Sequence, residues 1–551
     1  MSQPTTHTPL DAPGSSRRGF LRAVGLSGGA GAMFATMGAL GLAPTAHAAG
    51  TEAPFRAPSA SDFSLTGRSA ASVVILGGGV AGLATAYELG KAGYRCTVLE
   101  ARDVAGGRNF TVRGGTRQED LDGNVQTARF SDGVYFNAGP GRIAQWMNTM
   151  DYCRELGVEL EVFSNTNASA YIYNEKAGMR PGAPMRYRTA KADVYGYVSE
   201  LLAKAADQGA LDARLTADDK ERLLEFLRDF GDIGGRVAGD PAASWRYTGG
   251  QRRGLAADPG GVGEPGTPLG PVPDLSTVLA SGVGRYFSFE FGYDQAMLMF
   301  QPVGGMDAIP RALARAIGGR RIQLGCAVTR VTDRATDVVV EYRDAGGRTR
   351  SITADYCVSA LPPHIMARIP HNLGGEVNTA LNALRPSSAG KIGLEYRSRW
   401  WETDHDIYGG ITETDMDLAH IWYPSNGFHS RRGLIVGYYN TGANADAYTA
   451  LSPADREKRA VAQGVKIHGE KYRTELAHSF SIAWRRTPYL ESAWNYPTGG
   501  QTIEDLTQLT EPTGRVYFTG DWLSHAVAWQ HGSFSSARQV VTRLHSRVMA
   551  G

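Results

Sequence analysis

Cysteine is nearly missing from this chain: four in 551 residues, Cys96, Cys153, Cys326 and Cys357, with no metal-ligand spacing among them. That gives no support for a cysteine-based zinc site or a disulfide scaffold, and the expectation is small core residues at 96, 326 and 357. Net charge is nearly missing too. Against 57 Lys+Arg stand 55 Asp+Glu, a formal +2, so bulk electrostatics does not favour a polyanion and nucleic acid is excluded as an expected partner. No internal repeat is evident. Glycine, by contrast, is abundant at 69 residues, and its placement carries the reading.

The N-terminus has no fold signal. Ser16-Arg17-Arg18-Gly19-Phe20-Leu21 precedes a weakly apolar Gly/Ala-rich stretch, Ala23 to Ala43, and a small-residue site, Ala46-His47-Ala48. The stretch is nearly long enough to span a bilayer. Its glycines and the adjacent A-x-A site favour a cleaved leader over a stable anchor. The paired arginines are similar to the twin-arginine signals of bacterial proteins exported already folded. Residues 1–48 are therefore expected to be removed, leaving a periplasmic or secreted protein.

Ser72 to Glu100 reads as a β-strand, a glycine turn, a helix and a second strand ending in a carboxylate. Gly77 allows the tight turn, Gly79 lets the backbone approach a pyrophosphate, and Gly82 lets the helix, opened by Val80 and Ala81, pack on the strands. The helix N-terminus faces the phosphates, and Glu100 is placed to hold a ribose hydroxyl pair. A glycine fingerprint alone is weak, but here an apolar strand precedes it and the acid follows at about the expected 20 residues.

Downstream, Ala170 to Asn174 and Met185 to Arg188 read as short strands. Two helices follow: Ala190 to Ala206, and one opened by the capping pair Thr216 and Asp219. The Gly/Pro-rich stretch Gly249 to Pro273 reads as a lid or a mobile loop. Strand and helix then alternate from Gln301, with a hairpin at Val338 to Arg343 and Arg348 to Ala354. A buried strand lies at Tyr356, mixed strands run from Gly390 to about Tyr496, and a last strand and helix end the chain. The fold class is α/β: a Rossmann-like nucleotide domain from residues 69–142, 303–372 and 498–551, a mixed-sheet substrate domain from 143–188 and 373–497, and a helical insertion at 189–302.

From Ala70 to the C-terminus the chain resembles the flavin-dependent amine oxidase superfamily, with FAD bound in a GR2-type domain, and within it the L-amino acid oxidase branch. Ala101 and Gly106-Gly107-Arg108 resemble the segment supporting the flavin diphosphate. Tyr517-Phe518-Thr519-Gly520-Asp521 resembles the late cofactor motif. Val328 resembles the strand residue that offers its backbone to adenine. Ala138-Gly139-Pro140-Gly141-Arg142 is similar to the segment that sets an arginine over the flavin for the substrate carboxylate, a role suited to a planar guanidinium that stays charged.

The resemblance also implies a lysine near flavin N5, Lys391, and a small-residue-plus-tryptophan pair, Ala528-Trp529, whose backbone takes the substrate amine and whose ring walls the cavity. Ala528 departs from the common glycine there. Tyr423, chosen over Trp422, would assist the carboxylate, while His525 and His531 read equally well as loop or core residues and as catalysts. The implied reaction takes hydride from an L-amino acid Cα, yielding 2-oxo acid and ammonia, with dioxygen reduced to hydrogen peroxide. No metal is required, and a homodimer or larger is expected. Three alternatives stay open: oxidation of mono- or polyamines, decarboxylating monooxygenation to an amide, and a flavoprotein without turnover.

Overall fold

A computed structural model describes residues 63–176, 179–287, 291–498 and 506–551. The expected leader lies outside the described residues. Strand β1, Ser72–Leu76, helix α1, Val80–Lys91, and strand β2, Arg95–Leu99, form the expected unit. It sits in a five-stranded sheet in the order 322–323, β2, β1, 356–359, 516–518, with every pairing parallel. Three separated stretches of chain thus build one sheet.

Parallel strands covered on both faces read as unbroken apolar runs, and Val73 to Leu76 are all buried. Their alternation assigns the two faces. Val73, Ile75, Val98 and Val358 share a core with Leu83 and Leu89 of α1, Ile309 and Leu313 of helix Ala308–Ile317, and Phe534 and Leu544 of the last helix, Gln530–Ala550. Val74, Leu76, Leu99 and Cys357 face the other way, onto Val338, Val340, Leu381 and Phe518. The expected hairpin is larger than the sequence suggests. Ala327–Asp333 joins Val338–Arg343 and Thr349–Ala354 in a three-stranded antiparallel meander.

A seven-stranded sheet follows the order 476–483, 389–396, 433–441, 420–422, 411–414, 171–173, 185–186. Its strand Ala389–Tyr396 is buried at all eight positions and paired on both edges. Lys391, at the third position, therefore lies in the interior.

The stretch expected to be an insertion at 189–302 overlaps helix Tyr187–Asp207 and contains helix Ala217–Gly231, the second capped as expected by Thr216, whose hydroxyl accepts from the Asp219 amide at 3.2 Å. The stretch expected to be a lid or mobile is tied down at its start. Buried Arg253 donates through Nε to Asp193 of the first helix at 2.6 Å, and Tyr247 donates to the same carboxylate at 2.8 Å. All four cysteines are buried free thiols. Among the described residues, no helix is long and apolar enough to cross a membrane, and no acid, histidine and thiol cluster could hold a metal ion.

Candidate active site

The glycine turn delivers the N-terminus of α1 into a cavity of about 360 Å³. Gly77 has φ +96°, a left-handed conformation that disfavours a side chain. At Gly82 a Cβ would stand 2.0 Å from the Gly77 carbonyl oxygen, so only glycine lets the helix lie this close to the strand turn. Gly79 differs: a Cβ there meets nothing within 4 Å, because it would project into the open cradle before the helix. No side chain caps α1 and its first turn holds no acid, which leaves its amides and dipole to an anionic ligand.

Glu100 lies at the same end, buried, with its carboxylate accepting from the Gly78 amide at 2.7 Å and the Arg102 amide at 2.8 Å. Burial raises its pKa, and the backbone amides oppose that rise. Ala101, Gly106 and Gly107 continue the wall to Arg108. The Arg108 guanidinium pairs with Asp521, which follows the last strand of the parallel sheet, with one contact at 3.2 Å, and also donates to the Ala493 carbonyl at 2.5 Å. Asp521 in turn accepts from the Ala528 amide at 2.9 Å. Two segments 413 residues apart are thus locked together beside the cavity, with Gly520 in the same wall.

Gly139, Pro140 and Gly141 lead to Arg142. A Cβ on Gly139 would lie 1.8 Å from the Arg108 carbonyl oxygen, which fixes where this loop crosses. Arg142 is buried, its guanidinium lies 4.6 Å above the Trp422 ring centre, and Nη2 donates to Gln295 Oε1 at 3.2 Å. Burial draws its pKa down from the usual guanidinium value. Lys391 is on the same wall. Its ammonium donates to the Gly139 carbonyl and stands 4.6 Å from Trp422 and 4.7 Å from Tyr439. Burial first, and the Arg142 charge second, pull its pKa down to about 7.

Ala528 has φ +70°, the conformation that a glycine would take without strain. The sequence departure noted at this position therefore has a structural counterpart: the backbone keeps the glycine-like turn although the residue carries a methyl. Trp529 lines the cavity and donates through Nε1 to Asp294 at 2.8 Å.

Three expected site residues do not line the cavity. Gly82 lies beneath it, as packing. Val328 stands in the antiparallel meander beyond Cys326, whose amide donates to the Glu100 carbonyl at 2.8 Å. Tyr423 is the clear correction. Its hydroxyl bonds Thr412 and His468 at 2.8 Å each within a separate aromatic core, because it follows Trp422 and successive residues of extended chain point to opposite sides. Trp422 and Tyr439 take the cavity face. His531 is also placed as structure, its Nδ1 accepting from the Asn148 amide at 3.1 Å. Asp294 and Gln295, absent from the sequence reading, come from an irregular end of the insertion with no periodicity to mark them.

A Gly-turn cradle, a buried acid after the second strand, a clasping ion pair and an aromatic chamber holding one guanidinium define a dinucleotide-dependent enzyme acting on small molecules. The family model for flavin-containing amine oxidoreductases matches residues 80–545. The chain belongs to that family, and its cofactor is a flavin, for which the open space at Gly79 and the cavity beyond it are suited. An L-amino-acid oxidase of Bothrops pauloensis is 26% identical over 478 residues, 84% of this chain and 87% of that protein. A putative L-amino-acid oxidase of Bacillus subtilis is 25% identical over 491 residues, 85% and 93% of the two chains. Among solved structures, cyclohexylamine oxidase from Brevibacterium oxydans covers 87% of this chain and all of its own at TM-score 0.57 and 16% identity. Putrescine oxidase bound to putrescine covers 87% and 99% at TM-score 0.56 and 19% identity. At those identities the structures establish the fold.

Proposed function

We propose that the protein is an L-amino acid oxidase that deaminates its substrate to a 2-oxo acid and ammonia with formation of hydrogen peroxide. One observation carries this reading: Arg142, a buried guanidinium in the cavity wall between Trp422 and Gln295. An amine substrate offers nothing to a cation there, whereas a carboxylate accepts a planar two-point pair and repays the guanidinium's desolvation. FAD, held by the Gly77–Gly79 cradle, Glu100 and the Arg108–Asp521 pair, would supply the hydride acceptor and the route for electrons to dioxygen.

The chain's own residues do the positioning. Arg142 fixes the carboxylate, Trp422, Tyr439 and Trp529 exclude water, and the turn at Ala528 sets the backbone toward the amine. Reaction needs a neutral amine, and Lys391 Nζ, close to half-protonated at neutral pH, can hold or release one proton beside it. Cofactor-side roles fall to Gly77, Gly79, Glu100, Arg108 and Asp521. The leader reading makes the mature enzyme an exported one, and we expect it to work as a homo-oligomer. Peroxide and 2-oxo acid release from a panel of L-amino acids and from their decarboxylated amines tests the assignment. Turnover confined to the amino acids supports it; turnover confined to the amines, or amide as product, refutes it.

A further inference from the structure

We propose that Asp294 determines specificity and that the preferred substrates are L-amino acids with a cationic side chain, of the lysine, ornithine or arginine type. The inference rests on the amino acid oxidase reading above. Six charged residues line the cavity: Glu100, Arg108, Arg142, Asp294, Lys391 and Asp521. Each has at least one internal partner. Glu100 is held by the amides of Gly78 and Arg102, Arg108 and Asp521 pair with each other, and Lys391 donates to the Gly139 carbonyl. Arg142 and Asp294 are the opposite charges at the aromatic end.

Asp294 is half-buried and fixed in place. Its Oδ2 accepts from Trp529 Nε1 at 2.8 Å, and its neighbour Gln295 accepts from Arg142 at 3.2 Å, so the carboxylate belongs to the same wall as the guanidinium. In the reacting form an amino acid carries a carboxylate and a neutral α-amine. The substrate carboxylate takes up the Arg142 charge that otherwise faces Asp294, so a neutral side chain leaves Asp294 with the Trp529 bond alone, and an acidic one adds a second anion. A cationic side chain completes the set: carboxylate to Arg142, ammonium or guanidinium to Asp294. The rings of Trp529 and Tyr496, both in the cavity wall, suit the aliphatic stem of such a side chain.

The test compares L-lysine and L-arginine with L-norleucine, which keeps the lysine stem without its amine, and with L-glutamate, on flavin-loaded wild type and Asp294→Asn. The asparagine keeps an acceptor for Trp529 and removes only the charge. Expected in wild type is a kcat/KM for the basic substrates at least about 10-fold above norleucine, and in the variant a loss of about 30-fold or more for the basic substrates alone. Flavin difference-absorbance titration with 6-aminohexanoate and hexanoate, which have no α-amine, reads the same contact without turnover. The amino compound should bind more tightly to wild type, and the gap should vanish in Asp294→Asn. Norleucine equal to or better than lysine and arginine, a variant that loses all substrates equally, or no gap between the two acids overturns the proposal. Failure of every amino acid to turn over refutes the oxidase reading instead, and the titration still decides the role of Asp294.

Discussion

Lys391→Met should stabilise the protein, and the gain should shrink as pH rises. The ammonium sits inside an eight-residue strand buried along its whole length, with its pKa at about 7 against an ordinary 10.5. In the unfolded chain it titrates at the ordinary value, so between those two pH values the unfolded state binds the extra proton. Native stability therefore rises with pH across this window by about 1.4 kcal/mol per unit. Below pH 7 the destabilisation is complete, about 5 kcal/mol over the whole shift, and above 10.5 it is gone. From pH 7 to pH 9 wild type should gain about 2 kcal/mol relative to the methionine variant. The hydrogen bond lost to Gly139 is a pH-independent offset that drops out of this difference. Denaturant unfolding of both flavin-loaded proteins at pH 7, 8 and 9 measures it. Parallel stability profiles would refute the claim that Lys391 is held near neutrality by burial.

Gly79→Ala and Gly82→Ala should separate cradle from packing. The first should fold and lose flavin during gel filtration, since its Cβ meets only open space, whereas the second, with a backbone oxygen 2.0 Å away, should give little soluble protein. Ala528→Gly should raise stability by about 1 kcal/mol by relieving a left-handed alanine, read as a higher thermal midpoint with the flavin spectrum unchanged. Tyr423→Phe should cost about 1 to 2 kcal/mol, for a hydroxyl bonded to Thr412 and His468, and leave kcat/KM within a few-fold. A large loss of kcat/KM with unchanged stability would return Tyr423 to the site.

The nucleotide half was legible because its signals are local. A run of β-branched residues, three spaced glycines and an acid at the end of the next strand belong to one continuous stretch, and that stretch folds as expected. Arg108 and Asp521 were legible as separate motifs, though nothing in the sequence says that they pair. The substrate end was less legible. Trp422 and Tyr423 are consecutive residues on opposite sides of the chain, and which side faces the cavity is set by pairing with Gly433–Thr441 and by what packs behind. Asp294 and Gln295 arrive from an irregular segment whose position depends on the whole insertion. Long-range placement of that kind leaves no trace in local spacing. Arg253 makes the same point, since a Gly/Pro-rich stretch that reads as a lid or a mobile loop is tied near its start by an ion pair to a residue 60 positions earlier.

The amino acid oxidase assignment turns on the buried guanidinium of Arg142. Its most direct test is the ratio of kcat/KM for an L-amino acid to that for the corresponding decarboxylated amine, measured in wild type and in Arg142→Met. The ratio should be large in wild type and should fall by about 100-fold or more in the variant, through loss of the amino acid rather than gain of the amine. A ratio near one in wild type, or one unchanged by the substitution, would contradict the account.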